Sequence, residues 1–317
     1  MKQLKRLTSI LLVLGMVLGL MPLSAFAAES AKKPLTDEVD GNTYTYMPLN
    51  DSTVELTKFS TTAAAADAVI HSPVTLNGKD YSVVSIGSRA FFKCAALKSV
   101  QFKAPIESIG DGAFEHCENL TTVILPDSID SIEAGAFAYC FQLKTVNLGN
   151  SVRSIGESAF VYCTSLESVT LPDSIDLIEN DAFAYCTGLE SVTIPSSVRT
   201  IGKNAFSFGD QSEKETLEKL HYTGTKEQWD ELAEKNDFTN NNPLLTNPQN
   251  FYCAHTVSFD YGSQANGTGQ VVQEVVKYGE TVNKPADPKA DDYRFEGWYT
   301  QKTTVLSLIL ARRLRKM

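Results

Sequence analysis

The sequence is poor in the residues that do chemistry. It has four histidines, two tryptophans and no Cys-x-x-Cys pair, and without such a pair a zinc site has little support. His71, His116, His221 and His255 have no cysteine or carboxylate at ligand or triad spacing. The glycines of 262–269 are not followed by Lys-Ser/Thr and open no helix, so they read as a hairpin loop and not a phosphate cradle. No metal, cofactor or catalytic residue is therefore assigned, and the chain is read as non-enzymatic. Beyond the first 27 residues no apolar run is long enough to span a bilayer. Excess positive charge is lacking too. The formal charge is −10, which is poorly suited to phosphate backbones and argues against nucleic acid as a partner.

What is present begins with a leader. Lys2, Lys5 and Arg6 precede an apolar run over 10–20 and an Ala25-Phe26-Ala27 cleavage pattern, so 1–27 reads as a secretory signal peptide. Its loss takes the charge from −10 to −13, because it carries three cations and no acid. The mature chain is expected to be secreted or held at the cell surface, and monomeric. At 43% hydrophobic it can bury a core.

The organising stretch is 86–208, which repeats every 23 residues. Ile recurs at Ile86, Ile109, Ile132, Ile155, Ile178 and Ile201; Ala-Phe at Phe91, Phe114, Phe137, Phe160, Phe183 and Phe206. Cys recurs at Cys94, Cys117, Cys140, Cys163 and Cys186, Leu at Leu97 through Leu189, and Val at Val100 through Val192. A fixed period of this length means a solenoid. In each unit Leu-x-x-Val-x-Leu has the period of two of a half-buried strand, and Pro126, Pro172 and Pro195 stop it. A second short piece, such as 128–132, leads to the next unit. The Gly-x-x-Ala-Phe segment then crosses as a turn or short helix, with the Phe rings stacked as a spine. Stacking sets the five cysteines in a line about 4.8 Å apart. An odd-numbered ladder cannot pair completely, so they read as buried thiols whose S–H groups face loop carbonyls.

These columns resemble the BspA type of bacterial leucine-rich repeat, roughly I-G-x-x-A-F-x-x-C-x-x-L-x-x-V-x-L-P, over about 120 residues. The fold class expected is mainly β: a leucine-rich-repeat solenoid with capping segments, then a small incomplete β-grasp-like module. On either side of the array, 28–40 reads as a flexible leader and 41–85 as an N-terminal cap or degenerate repeats. In that cap, strands are expected at 44–47, 54–59, 68–70 and 81–86, with Asn77-Gly78 as a turn. Ala63–Ala66 is open between a short helix and a loop. Residues 209–236 read as a closing strand and helix with a Thr225–Gln228 capping box and Trp229 as a lid. Residues 237–253, rich in Asn and Pro, read as a linker.

Residues 254–300 carry Tyr278-Gly279-Glu280-Thr281-Val282 and Phe295-Glu296-Gly297-Trp298-Tyr299, and are similar to an internalin-type B repeat (the Listeria–Bacteroides repeat). Its usual last strand is expected to be missing. The tail 301–317 is atypical, an apolar piece followed by basic residues with no Leu-Pro-x-Thr-Gly. We hypothesise truncation or a frame shift after Thr300; resequencing that finds a clean stop with no continuation in another frame would end that idea.

The outward strand residues supply the candidate binding face. Thr122, Thr145, Ser168 and Ser191 form one row, and Asn147, Thr170 and Thr193 another. Hydroxyl and amide rows on a rigid platform suit contact with a protein or glycan. The resemblance implies an adhesin-like surface protein of a Gram-positive-type bacterium, binding host or neighbouring-cell proteins or glycans. The other function carried forward is an accessory module of an exported cell-wall or polysaccharide hydrolase whose catalytic domain lies elsewhere. Asp127, Asp130, Asp173 and Asp176 read as a solvated acidic edge, and His116 as a substitute in a column otherwise held by Tyr139, Tyr162 and Tyr185.

Overall fold

Alternation of period two followed by a forced stop gives short strands, and a constant offset of 23 residues stacks them in register. The computed structural model describes residues 33–208, 217–246, 250–260, 271–276, 293–302 and 308–316. The signal peptide reading therefore lies outside the described residues, as do 209–216, the glycine-rich loop at 262–269 and the Tyr278–Val282 segment.

In chain order the first strands are β1 (Leu35–Val39), β2 (Asn42–Pro48), β3 (Thr53–Thr61), β4 (Ala66–Ile70), β5 (Val74–Leu76) and β6 (Lys79–Ile86). The coils then alternate a strand of one sheet with a two-residue strand of the other. The pairs are β7 (Leu97–Phe102) with β8 (Ser108–Ile109), β9 (Thr122–Ile124) with β10 (Ser131–Ile132), and β11 (Thr145–Asn147) with β12 (Ser154–Ile155). They continue with β13 (Ser168–Thr170) and β14 (Leu177–Ile178), then β15 (Ser191–Ile194) and β16 (Thr200–Ile201). Parallel pairing matches each residue with its equivalent one coil on, as in Thr122↔Thr145 and Ile132↔Ile155. Between the two sheets the Phe rings form a continuous spine from Phe59 to Phe206, with neighbouring centroids 4.6 to 5.2 Å apart.

The Gly-x-x-Ala-Phe segments are turns, and backbone bonds between coils hold them: Phe114 N–H donates to Ala136 O and Phe137 N–H to Ala159 O, both at 2.7 Å. Each turn places a non-glycine residue in the left-handed region, with φ of 57° at Lys93, 60° at His116 and 59° at Tyr139, Tyr162 and Tyr185. That conformation costs on the order of 1 kcal/mol or more per residue. Ring stacking offsets it: His116–Tyr139 lie 4.5 Å apart, Tyr139–Tyr162 5.2 Å and Tyr162–Tyr185 4.4 Å.

The N-terminal end corrects one expectation. Leu35–Val39, read as part of a flexible leader over 28–40, is a strand paired antiparallel with β2. Leu35 and Val39 alternate with exposed Thr36 and Glu38 and pack against the core, the same period-two pattern that marks the other strands. Here β3 and β4 make a complete first coil, because β3 pairs with β6 and β4 with β7, and Phe59 begins the spine. Ala63–Ala66 is a bend running into β4. The outer edge of β4 is closed by side chains: Val69 N–H donates to Tyr44 Oη at 3.1 Å and Asn42 Nδ2 to Asp67 O at 3.2 Å. Such an edge would otherwise be open to further strand pairing.

A larger correction is at the other end. After β17 (Lys219–Thr225) comes α1 (Lys226–Lys235), with a complete Thr225–Gln228 capping box. Its buried Trp229 lies 5.1 Å from Tyr222, 5.3 Å from Phe238 and 5.4 Å from Phe251. The following segment is not a linker. It forms α2 (Phe238–Asn241) and a 3-10 turn, Pro243–Leu245, and buries Phe238, Leu244 and Leu245. Among the described residues the last coil has no successor, so its backbone groups need other partners, and asparagine amides provide them. Asn242, fully buried, accepts from Phe206 N–H at 3.1 Å and donates to Gly202 O at 2.9 Å. Asn236 Oδ1 accepts from Ile201 N–H at 3.1 Å.

β18 (Asn250–Asp260) then pairs parallel with β17, so the sheet runs through the supposed linker. Further on are β19 (Val271–Val276), β20 (Tyr293–Lys302) and β21 (Leu308–Lys316). β19 pairs antiparallel with β18, while β21 lies between β18 and β20. The tail read as atypical therefore supplies a last strand; its nine residues contain neither Pro nor Gly to interrupt pairing.

Candidate binding face

The longer strands of the coils and their flanks form one parallel run, β4-β7-β9-β11-β13-β15-β17-β18. Inward residues such as Val123, Val169 and Val192 are buried, so the residues on either side of each face away from the core. One outward row reads Asp67, Ser99, Thr122, Thr145, Ser168, Ser191, Lys219 and Asn250 in successive strands. The parallel row two residues on reads Val69, Gln101, Ile124, Asn147, Thr170, Thr193, His221 and Tyr252.

All seven residues singled out from the sequence lie in these rows. Thr122, Thr145, Asn147, Ser168 and Thr170 are exposed, whereas Ser191 and Thr193 are half-buried. Adjacent hydroxyls are within bonding reach, with Thr145 Oγ1 donating to Thr122 Oγ1 at 3.2 Å. Asn147 Oδ1 accepts from Gly149 N–H at 3.0 Å, which fixes its amide. Ile124 is 62% exposed in the middle of this polar surface.

Sequence reasoning missed both ends of the face. Lys219, His221, Asn250 and Tyr252 continue the rows, and the His221 and Tyr252 rings lie 4.6 Å apart. The signal was the Leu217-x-x-Leu220-x-Tyr222 alternation, which repeats the strand pattern after an insertion hides the period. Burial, and then the charge of Lys219, lowers the affinity of the His221 imidazole for a proton, so this end of the face favours a neutral ring at neutral pH. At the opposite end Ser99 Oγ donates to Asp67 Oδ1.

The thiol column lies inside the coils. Cys117, Cys140, Cys163 and Cys186 are fully buried, and none of the five is in a disulfide. Their Sγ atoms donate to Phe91, Phe114, Phe137 and Phe160 carbonyls at 3.1 to 3.3 Å. Burial pushes the Cys140 thiol up to about 12 and raises Cys117 and Cys163 as well. Cys94, at the open end of the column, is only half-buried. The inner four are enclosed, out of reach of an incoming reagent or metal ion. Among the described residues no group of three or more His, Cys, Asp or Glu is placed to hold a metal ion, and no helix is long and apolar enough to cross a membrane.

The model of the BspA type leucine rich repeat region matches residues 84–213 in six copies. Residues 84–213 are a BspA-type leucine-rich repeat region. The Listeria-Bacteroides repeat domain matches residues 255–307. Among solved structures, a T. pallidum leucine rich repeat protein is 26% identical, covering 60% of this chain and 86% of that one, with a TM-score of 0.48. A Bacteroides ovatus leucine-rich repeat protein is 30% identical over 58% of this chain, with a TM-score of 0.50; the match spans 46% of that chain, less than half. A leucine rich cell surface protein of Faecalibacterium prausnitzii is 19% identical, over 63% of this chain and 98% of that one, with a TM-score of 0.24. No curated protein matches the chain. The rows of the face extend past the BspA-type region on both sides, to Asp67 and Val69 before it and to Lys219, His221, Asn250 and Tyr252 after it.

Proposed function

We propose that this is an exported, adhesin-like bacterial protein that holds an extracellular partner against the two outward rows of its parallel sheet. The observation that carries this reading is the in-register run of eight strands from β4 to β18, which presents fixed hydroxyl, amide and aromatic groups. Contact with such a surface orders few new side chains, so little entropy opposes binding. Ile124 favours a protein partner, since an exposed branched side chain amid hydrogen-bonding groups gains from apolar contact. The BspA-type repeats, the Listeria-Bacteroides match and the leader read at 1–27 all support display outside the cell.

The test is capture of immobilised extracellular-matrix proteins and bacterial cell walls by the full chain. It is then repeated with Thr145, Asn147, Ser168 and Thr170 changed together to Ala, and separately with Ile124→Ala. We expect capture by the parent, at least about tenfold weaker binding in the quadruple variant, worth ~1.4 kcal/mol, and an unchanged melting temperature. Undiminished binding by both variants would show that the face is elsewhere.

A further inference from the structure

The motif that ends the strand changes in the third coil, and a cleft opens at that place. Where the two adjacent coils leave the strand through Pro126-Asp127-Ser128 and Pro172-Asp173-Ser174, the third coil has Gly149-Asn150-Ser151. Gly149 has φ +71°, and a Cβ there would meet Pro126 O at 2.9 Å, so any other residue requires the backbone to take a different path. The pairing loosens alongside: β11 meets β13 only at Thr145↔Ser168, whereas β9–β11 and β13–β15 each pair over three residues. Val146 is correspondingly half-buried where Val123, Val169 and Val192 are buried.

The resulting cleft, about 470 Å³, is lined by Ser128, Asp130, Asn150, Ser151, Arg153 and Ser174, every one polar. Arg153 stands in a column whose neighbours are Asp130 and Asp176, and its Nε meets Asp130 Oδ1 at 3.0 Å. Ser128 Oγ and Ser174 Oγ each donate at 2.7 Å to a carbonyl of the preceding coil, leaving oxygen lone pairs as acceptors. Stability does not account for this arrangement. An exposed ion pair contributes about 0–1 kcal/mol, and glycine in place of proline loosens the unfolded chain.

We propose that this cleft is a carbohydrate site for a neutral mono- or disaccharide. The Asp130 and Arg153 charges offset each other, which favours an uncharged ligand over a phosphate or an amine. A sugar's vicinal hydroxyls donate and accept in pairs, matching carboxylate and serine oxygens set beside guanidinium and amide N–H groups. The cleft is separate from the outward rows and does not depend on their function.

Saturation-transfer NMR on the full chain, with N-acetylglucosamine, galactose, mannose and lactose as probes, tests it. We expect saturable binding of at least one probe, weakened tenfold or more by Asn150→Ala and by Arg153→Ala, both surface changes. The repeat-restoring double variant Gly149→Pro, Asn150→Asp should fold as its neighbouring coils do and also lose the signal. If no probe binds saturably, or if binding survives Asn150→Ala and Arg153→Ala, the proposal is overturned.

Discussion

The middle of the coil stack and its C-terminal end face the same requirement and meet it with different groups. In the middle, each coil's backbone is satisfied by the next coil's backbone: Phe137 N–H finds Ala159 O and Phe160 N–H finds Ala182 O, both at 2.7 Å. At the end there is no next coil, and Phe206 N–H finds the side chain of Asn242 instead. The repeated part therefore needs only small and apolar residues at fixed spacing, whereas the end needs amides placed individually. A composition that marks a loop when it stands in solvent becomes a structural plug when it stands over an open stack.

The largest effect that could break this comparison is in the middle. Phe137 is fully buried between Phe114 and Phe160, with centroids 5.1 and 5.2 Å away. Phe137→Ala should cost ~3–5 kcal/mol, read by urea denaturation. At the end, Asn242→Ala would leave Phe206 N–H without its partner, while Gly202 C=O would keep only its bond from Ala205 N–H at 3.3 Å. A buried group left unpaired costs ~1–3 kcal/mol, so a loss of about that size is expected by the same measurement. If Asn242→Ala changes stability by less than a few tenths of a kcal/mol, the plug is not structural and the two regions are not equivalent.

The difference between the regions also explains what could be read in advance. The period of 23 residues fixes which side chains line up, so the Phe spine, the cysteine column and the rows through Thr145 and Ser168 follow from spacing alone. Neither end has a period. Asn236 and Asn242 act through contacts with Ile201 and Phe206 that lie 35 and 36 residues back in the chain, and local composition carries no trace of them. His221 and Tyr252 were hidden for a related reason, since the residues inserted before Leu217 shift them out of register. Leu35–Val39 was missed because five alternating residues are too short a signal without knowledge of the β2 partner.

A pH titration sharpens the contrast on a smaller scale. Cys117, Cys140 and Cys163 keep their protons to higher pH in the folded chain than in the unfolded one, Cys140 up to about 12 against an ordinary 9.0. Their stabilisation is complete below the unfolded value and shrinks as pH rises from 9 toward 12, by about 1.4 kcal/mol per pH unit for each proton involved. Cys140→Ala should flatten that alkaline slope. Cys94→Ala, which removes a thiol that burial also raises but that is only half-buried, should flatten it less. Equal slopes for the two variants would mean that the column does not differ between its interior and its end.

The smallest expected effect is the one that separates composition from position. Asn240 lies two residues from Asn242 in the same Asn-rich run, but it is exposed, and its Nδ2 donates to Asp237 Oδ1 and Oδ2 at 3.0 and 2.9 Å. Water can replace those bonds when the side chain is removed, so Asn240→Ala should change stability by no more than about 0.5 kcal/mol. If the run acted through its overall polarity, Asn240→Ala and Asn242→Ala would behave alike in the same urea series. A gap of at least about 0.5 kcal/mol between them is expected, because of the two only Asn242 meets a backbone N–H that water cannot reach.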